Sequence, residues 1–561
     1  MPTLKLIRSL WCAGLLLLLL DLGTSPLSLA APAAATPLEA GGSREALRAL
    51  VASGHDADLH WPDFSDYRDQ LLAFYDPAGY ALAWTQDGKP TPQALAVIAA
   101  LQQAQIKGLN PEDYDASRWA PRIAQLTQPG AAARFDAALT VCAMRYSSDL
   151  DVGRLNPKHF KFNLAAKSAR YDLPQFVRQR LASGTDVSGA LAEVEPQFRG
   201  YKWTEAVLQR YLQLAQQDTT QPLPVPAKTV DVGGSYPAGA ALAQRLQLLG
   251  DLPADHSVAT DTYQGELVEA VKRFQQRHGL TADGRLGAQT LKQLNTPLAG
   301  RVEQLDLALE RWRWIAPDFK EPPVVVNIPE FRLRAYDANR NVVLTSGVIV
   351  GKAMRHQTPV FDRDMRYVVF RPYWNVPPSI QRGEIVPAIT RNRDYISQKN
   401  YEVTTQAGQV VTSGPISDEV LEQLRAGKLA VRQKPGPSNS LGLVKLIFPN
   451  EYNVYLHSTP AQRLFAEDRR DFSHGCIRVE KADELAAWAL QGRPEWSLDK
   501  VREAMRSGKD NLQVNLPQPI PVLILYVTAV PGADGSVSFY DDIYGHDAEL
   551  RKALSRGYPY S

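Results

Sequence analysis

Cysteine is scarce in this sequence: only Cys12, Cys142 and Cys476 occur among 561 residues. So few thiols exclude a disulfide framework and a four-cysteine zinc site. An excess of charge of one sign is also lacking, because 62 Lys and Arg residues oppose 60 Asp and Glu residues. No global basic field therefore indicates nucleic-acid binding, and there is no acidic tail. After the first thirty residues, no segment is long and apolar enough to cross a bilayer.

The N-terminal thirty residues have the pattern of a targeting segment. Lys5 and Arg8 precede an uncharged, leucine-rich run over residues 9–20, and small residues follow at 28–30. This pattern predicts a secretory signal peptide over residues 1–30 and an exported mature chain. The run is shorter than the ~20 residues of a comfortable transmembrane helix. An uncleaved membrane anchor is the alternative.

The composition and the hydrophobic pattern of the rest of the chain change several times along its length. Hydrophobic residues make up 44% and charged residues 22% of the sequence, as in ordinary globular protein. At ~150 residues per domain, the length predicts three or four domains. We expect a multidomain α and β protein with these segments: a flexible Ala-, Pro- and Gly-rich lead-in (31–60), a helical scaffold (61–220), a Pro-alternating linker (221–235), a small three-helix unit (236–297), a mainly β domain (323–500) with an insertion over about 375–435, and a C-terminal segment (501–561) that packs on the other domains.

Leucine stripes at helical spacing alternate with glycine turns over residues 236–297. The recurring short motifs are Arg245-Leu246, Leu249-Gly250, Phe274-Gln275, His278-Gly279-Leu280, Asp283-Gly284, Gly287, Thr290 and Leu294-Asn295. In these motifs the unit resembles the three-helix type of peptidoglycan-binding module. A small helical spacer without a ligand is the alternative, with Gln275 and His278 as surface polar groups.

The stretch between residues 455 and 480 contains residue types that are suited to acyl transfer. Cys476 follows a strand-ending His457 by nineteen residues. A cysteine nucleophile needs a thiolate, and a nearby imidazole supplies it by taking the proton. A third group, such as a backbone carbonyl, must fix the imidazole tautomer. Gly475 lets a substrate carbonyl approach the backbone, where amide groups around Gly475 and Cys476 can hold an oxyanion.

Two other readings of these residues exist. An isolated cysteine is usually a small core residue, which is what we expect of Cys142 in its apolar run. Two histidines and a cysteine can also bind zinc, but no fourth ligand accompanies them at finger-like spacing.

The stretch Ser473-His474-Gly475-Cys476-Ile477-Arg478-Val479, with His457 upstream, resembles the L,D-transpeptidase signature. The segment Arg371-Pro372-Tyr373-Trp374-Asn375-Val376-Pro377 is also similar to the family at the mouth of its site. From about residue 60 to the C-terminus, the order of segments resembles the large multidomain L,D-transpeptidases of Gram-negative bacteria (YcbB-like). Their order is signal, helical scaffold, peptidoglycan-binding module, and catalytic domain with an inserted capping subdomain.

This resemblance implies a role for each matching residue. Cys476 is the implied nucleophile, His457 the general base and later the acid, and the Ser458 carbonyl the group that orients His457. His474 and Gly475 line the oxyanion region. The residues implied to contact substrate are Arg478, Tyr373, Trp374 and Asn375. The alternatives are a loop-supporting salt bridge for Arg478 and core packing for Trp374.

The resemblance also implies a reaction. The thiolate attacks a tetrapeptide stem, D-Ala leaves, and a second stem resolves the thioester to form a 3–3 cross-link. Neither half needs a metal or an organic cofactor. The implied partners are peptidoglycan stem peptides and glycan, with cell-wall synthases as candidates, no nucleic acid, and a membrane only if the signal is uncleaved.

The implied location is the periplasm, and carbapenems acylate the family. The alternatives are an L,D-carboxypeptidase, an enzyme that attaches an outer-membrane lipoprotein to the wall, and an inactive wall-binding scaffold. Because a catalytic thiol must stay free in an oxidising compartment, Cys142 and Cys476 are predicted to lie far apart.

Overall fold

The computed structural model describes residues 37–165, 171–256, 262–316 and 321–560. The predicted signal peptide and Cys12 lie outside the described residues. None of the described helices has the length and apolarity needed to cross a membrane. Within the described ranges, the expected fold class is confirmed: helical units precede a mainly β domain.

The N-terminal unit is built around one long helix. Its described helices are α1 (Pro37–Ser53), α2 (Arg68–Tyr75), α3 (Pro92–Gln102), α4 (Trp119–Ala124), α5 (Ala131–Val152), α6 (Leu173–Phe176), α7 (Val187–Val194) and α8 (Arg199–Gln217), with the short strands β1 (Thr85–Gln86) and β2 (Lys89–Pro90). Most of α5 is buried, because α1, α3 and α7 pack around it. Cys142 on α5 is fully buried in this helical core.

Helix α1 differs from the expected flexible lead-in over residues 31–60. Residues 37–53 are helical, and Leu47 and Val51 are completely buried in the same core as α5. Leu47 and Val51 are four positions apart, so they lie on one face of the helix. The composition of the segment, rich in small residues, hid this short apolar stripe.

The second unit is helical and compact. It contains α9 (Gly239–Leu249), α10 (Glu266–Arg277) and α11 (Ala288–Leu294), and α12 (Leu298–Arg313) follows it and packs along α8. The Pro-alternating segment before it packs onto this unit, because the Leu223 amide donates to the Asn295 side chain at 2.7 Å and Leu223 is buried.

The β domain is a nine-stranded sheet that positions the candidate site. Its strands are β3 (Val324–Asn327), β4 (Arg332–Tyr336), β5 (Val342–Gly351), β6 (Phe361–Phe370), β11 (Val444–Ile447), β12 (Leu456–His457), β13 (Asp471–Ser473), β14 (Ile477–Val479) and β15 (Leu512–Leu525). The strand order is β13-β5-β14-β12-β11-β6-β15-β3-β4, and β4 also pairs with β5, so the sheet closes on itself. Strand β15 lies within the C-terminal segment that was predicted to pack on the other domains, but it is an integral strand of this sheet and pairs with β6 and β3.

A second, four-stranded sheet lies within residues 374–433. Its strands are β7 (Trp374–Asn375), β8 (Tyr401–Thr405), β9 (Val410–Thr412) and β10 (Leu429–Gln433), in the order β7-β10-β8-β9, and its helices are α13 (Pro378–Ile380), α14 (Val386–Arg391), α15 (Tyr395–Gln398) and α16 (Asp418–Arg425). These elements have a hydrophobic core of their own, separate from that of the large sheet. We call this unit the cap.

The C-terminal elements tie the units together. They are α17 (Ala482–Ala489), α18 (Leu498–Ser507), β16 (Ala529–Pro531), β17 (Val537–Phe539) and α19 (His546–Leu554). Near the chain end, the Tyr558 hydroxyl donates to the buried Asp149 of α5. In the second unit, Thr281 donates to Asp468, 2.6 Å away, in the loop that leads into β13. The helical unit, the second unit and the β domain are therefore in direct contact.

Candidate functional site

Two parallel strands bring His457 and Cys476 to the same region of the sheet. Strand β12 pairs with β14 so that Leu456 faces Ile477 and His457 faces Arg478. Leu456 and Ile477 are completely buried on the core face. Because side chains alternate along a strand, His457 and Arg478 lie on the opposite face, and Cys476 precedes β14 on that same side.

The imidazole of His457 is fixed by a backbone carbonyl. Its Nδ1 lies 2.6 Å from the carbonyl oxygen of Ser458. The Ser458 hydroxyl accepts from the amides of Leu443 and Val444, at 2.7 and 3.1 Å, which holds the residue in place. An Nδ1–H donor leaves the Nε2 lone pair free to accept a proton. The sequence-predicted pair of His457 and the Ser458 carbonyl is therefore present as a contact.

Burial keeps the imidazole neutral. It lowers the pKa of His457 to about 4, and the nearby positive charge of Arg478 contributes to this shift. At neutral pH the ring is therefore an unprotonated base.

The Cys476 thiol is half-buried and uncharged at rest. Its Sγ lies 3.5 Å from the Asn453 carbonyl oxygen. Burial raises the pKa of Cys476, while Tyr455, Arg478 and Lys445 act in the opposite direction by favouring the thiolate. Because the pKa of Cys476 is raised and that of His457 is lowered, the thiol and the imidazole are both neutral at rest. Proton transfer to the imidazole then accompanies attack by the sulfur rather than preceding it.

Tyr455 is a site residue that sequence reasoning missed. Its side chain interacts with the Cys476 thiol and with Trp374 of the cap, and burial raises the pKa of its hydroxyl. Its ring lies 5.7 Å from that of His457, edge to face. The only sequence signal was its position two residues before His457 on one strand, which places both side chains on one face.

Backbone geometry around Gly475 is set by hydroxyl groups. Gly475 has φ +114, which disfavours residues with a side chain. Its N–H donates to the Ser473 hydroxyl at 3.1 Å, and its carbonyl accepts from the Thr358 hydroxyl at 2.8 Å. The Gly475 amide is thus already engaged, whereas the Cys476 amide has no hydrogen-bond partner within the described residues. Of the two amides expected to hold an oxyanion, that of Cys476 is the available one.

The His474 side chain contacts the cap. Its Nε2 lies 2.6 Å from Oε1 of Glu384, in the π-helical turn Gln381–Ile385, and both side chains are solvent-accessible. The His356 ring is 5.0 Å from that of His474. The residue following Ser473 in the signature thus connects the cap to the catalytic-domain loop.

The three aromatic and amide residues predicted at the mouth of the site separate into two groups. Trp374 reaches the thiol region through Tyr455. Tyr373 and Asn375 instead contact Arg432: its guanidinium lies 4.4 Å from the Tyr373 ring centroid, and Asn375 pairs with it between β7 and β10. The structure does not bring Tyr373 or Asn375 into contact with Cys476.

Both described cysteines are free. Cys142 lies in the core of the helical unit, whereas the half-buried Cys476 directly precedes β14 of the large sheet. Over the described ranges, no group of three or more His, Cys, Asp or Glu side chains is arranged to hold a metal ion.

Gln275 and His278, the polar residues of the second unit's motif, are buried rather than exposed. The Gln275 amide donates to the Asp283 side chain and accepts from the Gly284 amide, at 3.0 and 2.8 Å. The His278 ring stacks on Phe274 with 3.9 Å between centroids. These motif residues build the fold of the unit and are not its exposed ligand surface.

Three protein families match separate parts of the chain. Residues 322–500 match the family described as "L,D-transpeptidase catalytic domain". Residues 237–294 match "Putative peptidoglycan binding domain", and residues 69–208 match "Scaffold domain". The candidate site lies within the first of these matches.

A relative from Haemophilus influenzae, named "Putative L,D-transpeptidase", is 31% identical over 279 residues. The alignment covers 49% of this chain and 55% of the relative, so the chain spans about half the length of the curated relative that it matches.

Two crystal structures of L,D-transpeptidases are also similar. That from Xylanimonas cellulosilytica DSM 15894 has 16% identity and a TM-score of 0.18, covering 54% of this chain and 100% of its own. That from Stackebrandtia nassauensis has 13% identity and a TM-score of 0.21, covering 55% and 97%.

Proposed function

We propose that this chain, which carries an L,D-transpeptidase catalytic domain and a peptidoglycan-binding domain, forms 3–3 cross-links in peptidoglycan through a thioester on Cys476. The observation that carries the proposal is the pairing of β12 with β14. It places a neutral imidazole, fixed through Nδ1 by the Ser458 carbonyl, on the same face as the thiol.

In the first half of the proposed reaction, a tetrapeptide stem acylates the enzyme. The Cys476 sulfur attacks the carbonyl carbon that precedes the terminal D-Ala, while Nε2 of His457 takes the thiol proton. The new C–S bond forms, and the carbonyl oxygen gains negative charge next to the Cys476 amide. When the C–N bond breaks, the imidazolium returns the proton to the departing D-Ala amine. The enzyme is left as a thioester with a neutral imidazole.

In the second half, an amine of another stem attacks the thioester. His457 accepts a proton from the amine and returns it to the sulfur, so that the thiol is regenerated and an amide bond joins the two stems. Water in place of the amine gives a shortened stem, which is carboxypeptidase activity. The peptidoglycan-binding domain supports the cross-linking proposal, because tethering to a repetitive polymer raises the local concentration of stems.

Mass spectrometry of the purified chain with disaccharide-tetrapeptide tests this function. We expect a stem tripeptide attached to Cys476 and a cross-linked dimer that has lost one D-Ala. Cys476→Ala should abolish both products. Cys142→Ala is the matched control, because it removes the other described thiol, which lies in the core of the helical unit, and should leave the products unchanged.

Other outcomes identify the alternatives. A tripeptide monomer alone would favour the carboxypeptidase. Folded protein that binds sacculi without forming any adduct would favour a wall-binding scaffold. A lipoprotein acceptor would show as a stem attached to that protein. As further parts of the proposal, a carbapenem should leave a mass adduct on Cys476, and the chain should be found in the periplasm, either with its first thirty residues removed or held at the inner membrane by them.

A further inference from the structure

Two basic side chains flank His457 in one row across the sheet. Lys445 of β11 pairs with His457 of β12, and His457 pairs in turn with Arg478 of β14. The three side chains lie on the face that carries the thiol, since their strand neighbours are buried on the core face. Tyr455 and Cys476 lie one row further along. Rows on one face of a sheet are about 6–7 Å apart, and the positive charges of Arg478 and Lys445 both act on the Cys476 thiol.

Neither cation has a carboxylate partner among the described residues. The charged group that acts on each of them is the Cys476 thiol, and no carboxylate of the described ranges does so, although both side chains are partly buried. The ammonium of Lys445 has only a distant aromatic contact, 5.8 Å from the Tyr455 ring centroid. Burial lowers the pKa of both side chains.

The carboxylates around the site are already engaged elsewhere. Glu384 contacts His474 at 2.6 Å, and Asp471 pairs with Arg469 at 2.6 Å. Glu402 pairs with Arg432. Arg432 and Arg469 therefore each have an acidic partner. Withdrawing a cation from water without a counter-charge is costly, so this partly buried pair of cations is open to an anion.

We propose that Lys445, together with Arg478, binds the carboxylate of the residue that leaves the donor stem. This inference rests on the proposed function. In a tetrapeptide stem, that carboxylate is attached to the carbon next to the leaving nitrogen. With the scissile carbonyl at Cys476, the carboxylate carbon is two bonds beyond the leaving nitrogen, within reach of the two long basic side chains of the neighbouring row. Lys445 is then a specificity-determining residue that selects stems ending in a free carboxylate over extended or amidated stems.

Binding without chemistry tests the proposal. In the Cys476→Ala protein, calorimetry compares disaccharide-tetrapeptide ending in D-Ala with the same compound ending in D-alaninamide. We expect the acid to bind roughly ten- to a hundred-fold more tightly, as for a hydrogen bond to a charged group. Adding Lys445→Met should reduce this acid-to-amide ratio at least several-fold, and Lys445→Arg should largely preserve it. The exposed Lys509, changed to Met, is the matched control and should leave the ratio unaltered.

An equal loss of affinity for acid and amide in Lys445→Met would overturn the proposal, because the lysine would then serve the site in general rather than the carboxylate. Equal affinity of acid and amide for the Cys476→Ala protein would also overturn it. Failure of the proposed function has a different signature, namely the absence of a Cys476 adduct in the protein with an intact thiol. The two results are measured separately and in different proteins.

Discussion

Thr358 is expected to hold the signature loop in place through a single hydroxyl group. The residue is 1% exposed. Its Oγ1 donates to the Gly475 carbonyl at 2.8 Å and accepts from the Gly351 amide at 2.9 Å. Thr358→Val keeps the shape of the side chain and removes the hydroxyl, so that a buried carbonyl and a buried amide both lose their partner.

The size of the effect follows from these two contacts. A buried polar group left without a partner costs about 1–3 kcal/mol, so losing both contacts should destabilise the local structure by about 2–6 kcal/mol. The lower figure corresponds to roughly thirty-fold faster exchange of the Gly351 amide through local opening. Because the Cys476 amide directly follows the Gly475 carbonyl, acylation should also slow, by roughly ten- to a hundred-fold.

Hydrogen–deuterium exchange of peptides covering Gly351 and Gly475, together with the rate of Cys476 acylation, measures this change. Thr358→Ser is the matched control, because it loses a methyl group, about 0.8 kcal/mol of burial, but keeps the hydroxyl. The serine variant should exchange within a few-fold of wild type. If valine and serine variants exchange and acylate alike, the hydroxyl does not hold the loop and the reasoning is refuted.

Two further predictions concern the residues around His457. Gly442 has φ +63, and a Cβ there would lie 2.2 Å from the Ser458 hydroxyl, whereas Gly427 has φ +69 and open space around it. Gly427→Ala should lower the free energy of unfolding only by the strain of that backbone conformation, about 1–2 kcal/mol. Gly442→Ala should lower it by about 1–3 kcal/mol more, because of the clash, and should abolish acylation of Cys476. Equal melting temperatures for the two variants would exclude the clash. The second prediction concerns pH: the pKa of His457 is about 4 in the folded chain and 6.5 as its ordinary value, so the unfolded chain binds a proton first as the pH falls. Relative to His457→Gln, the wild-type protein should lose about 3 kcal/mol of its free energy of unfolding between pH 7 and pH 4 and nothing above pH 7. Urea unfolding at each pH measures this difference. A difference between the two proteins that does not change with pH would contradict the burial of a neutral imidazole.

Local sequence patterns predicted those features of the fold and the site that depend on residues close together in the chain. The strand that ends at His457 and the glycine that directly precedes Cys476 were both evident from the local sequence. The cap shows what such patterns cannot predict. Its strands β8 and β10 pair with each other although a helix and a third strand separate them in the chain. The charged, helix-capable character of that insertion gave no indication of the pairing, since strand partners far apart in sequence are set by packing.

The same limit applies inside the site. Thr358 and Tyr455 carried no motif, and they become informative only when the sheet brings them to Gly475 and Cys476. Lys445 is the clearest case, because the alternation of Val444 to Ile447 predicted a strand but not its partner. Only the register of β11 with β12 puts that ammonium next to His457.

The electrostatics of the resting site lead to one consequence for the order of events. Lys445 and Arg478 both lower the pKa of His457 by their positive charge. An anion bound between them would offset that effect and raise the basicity of the imidazole toward its ordinary range. A stem with a free carboxylate would thus strengthen the base that must remove the thiol proton, whereas an amidated stem would leave the base weak. The cations that select the substrate would in this way also make proton transfer depend on its arrival.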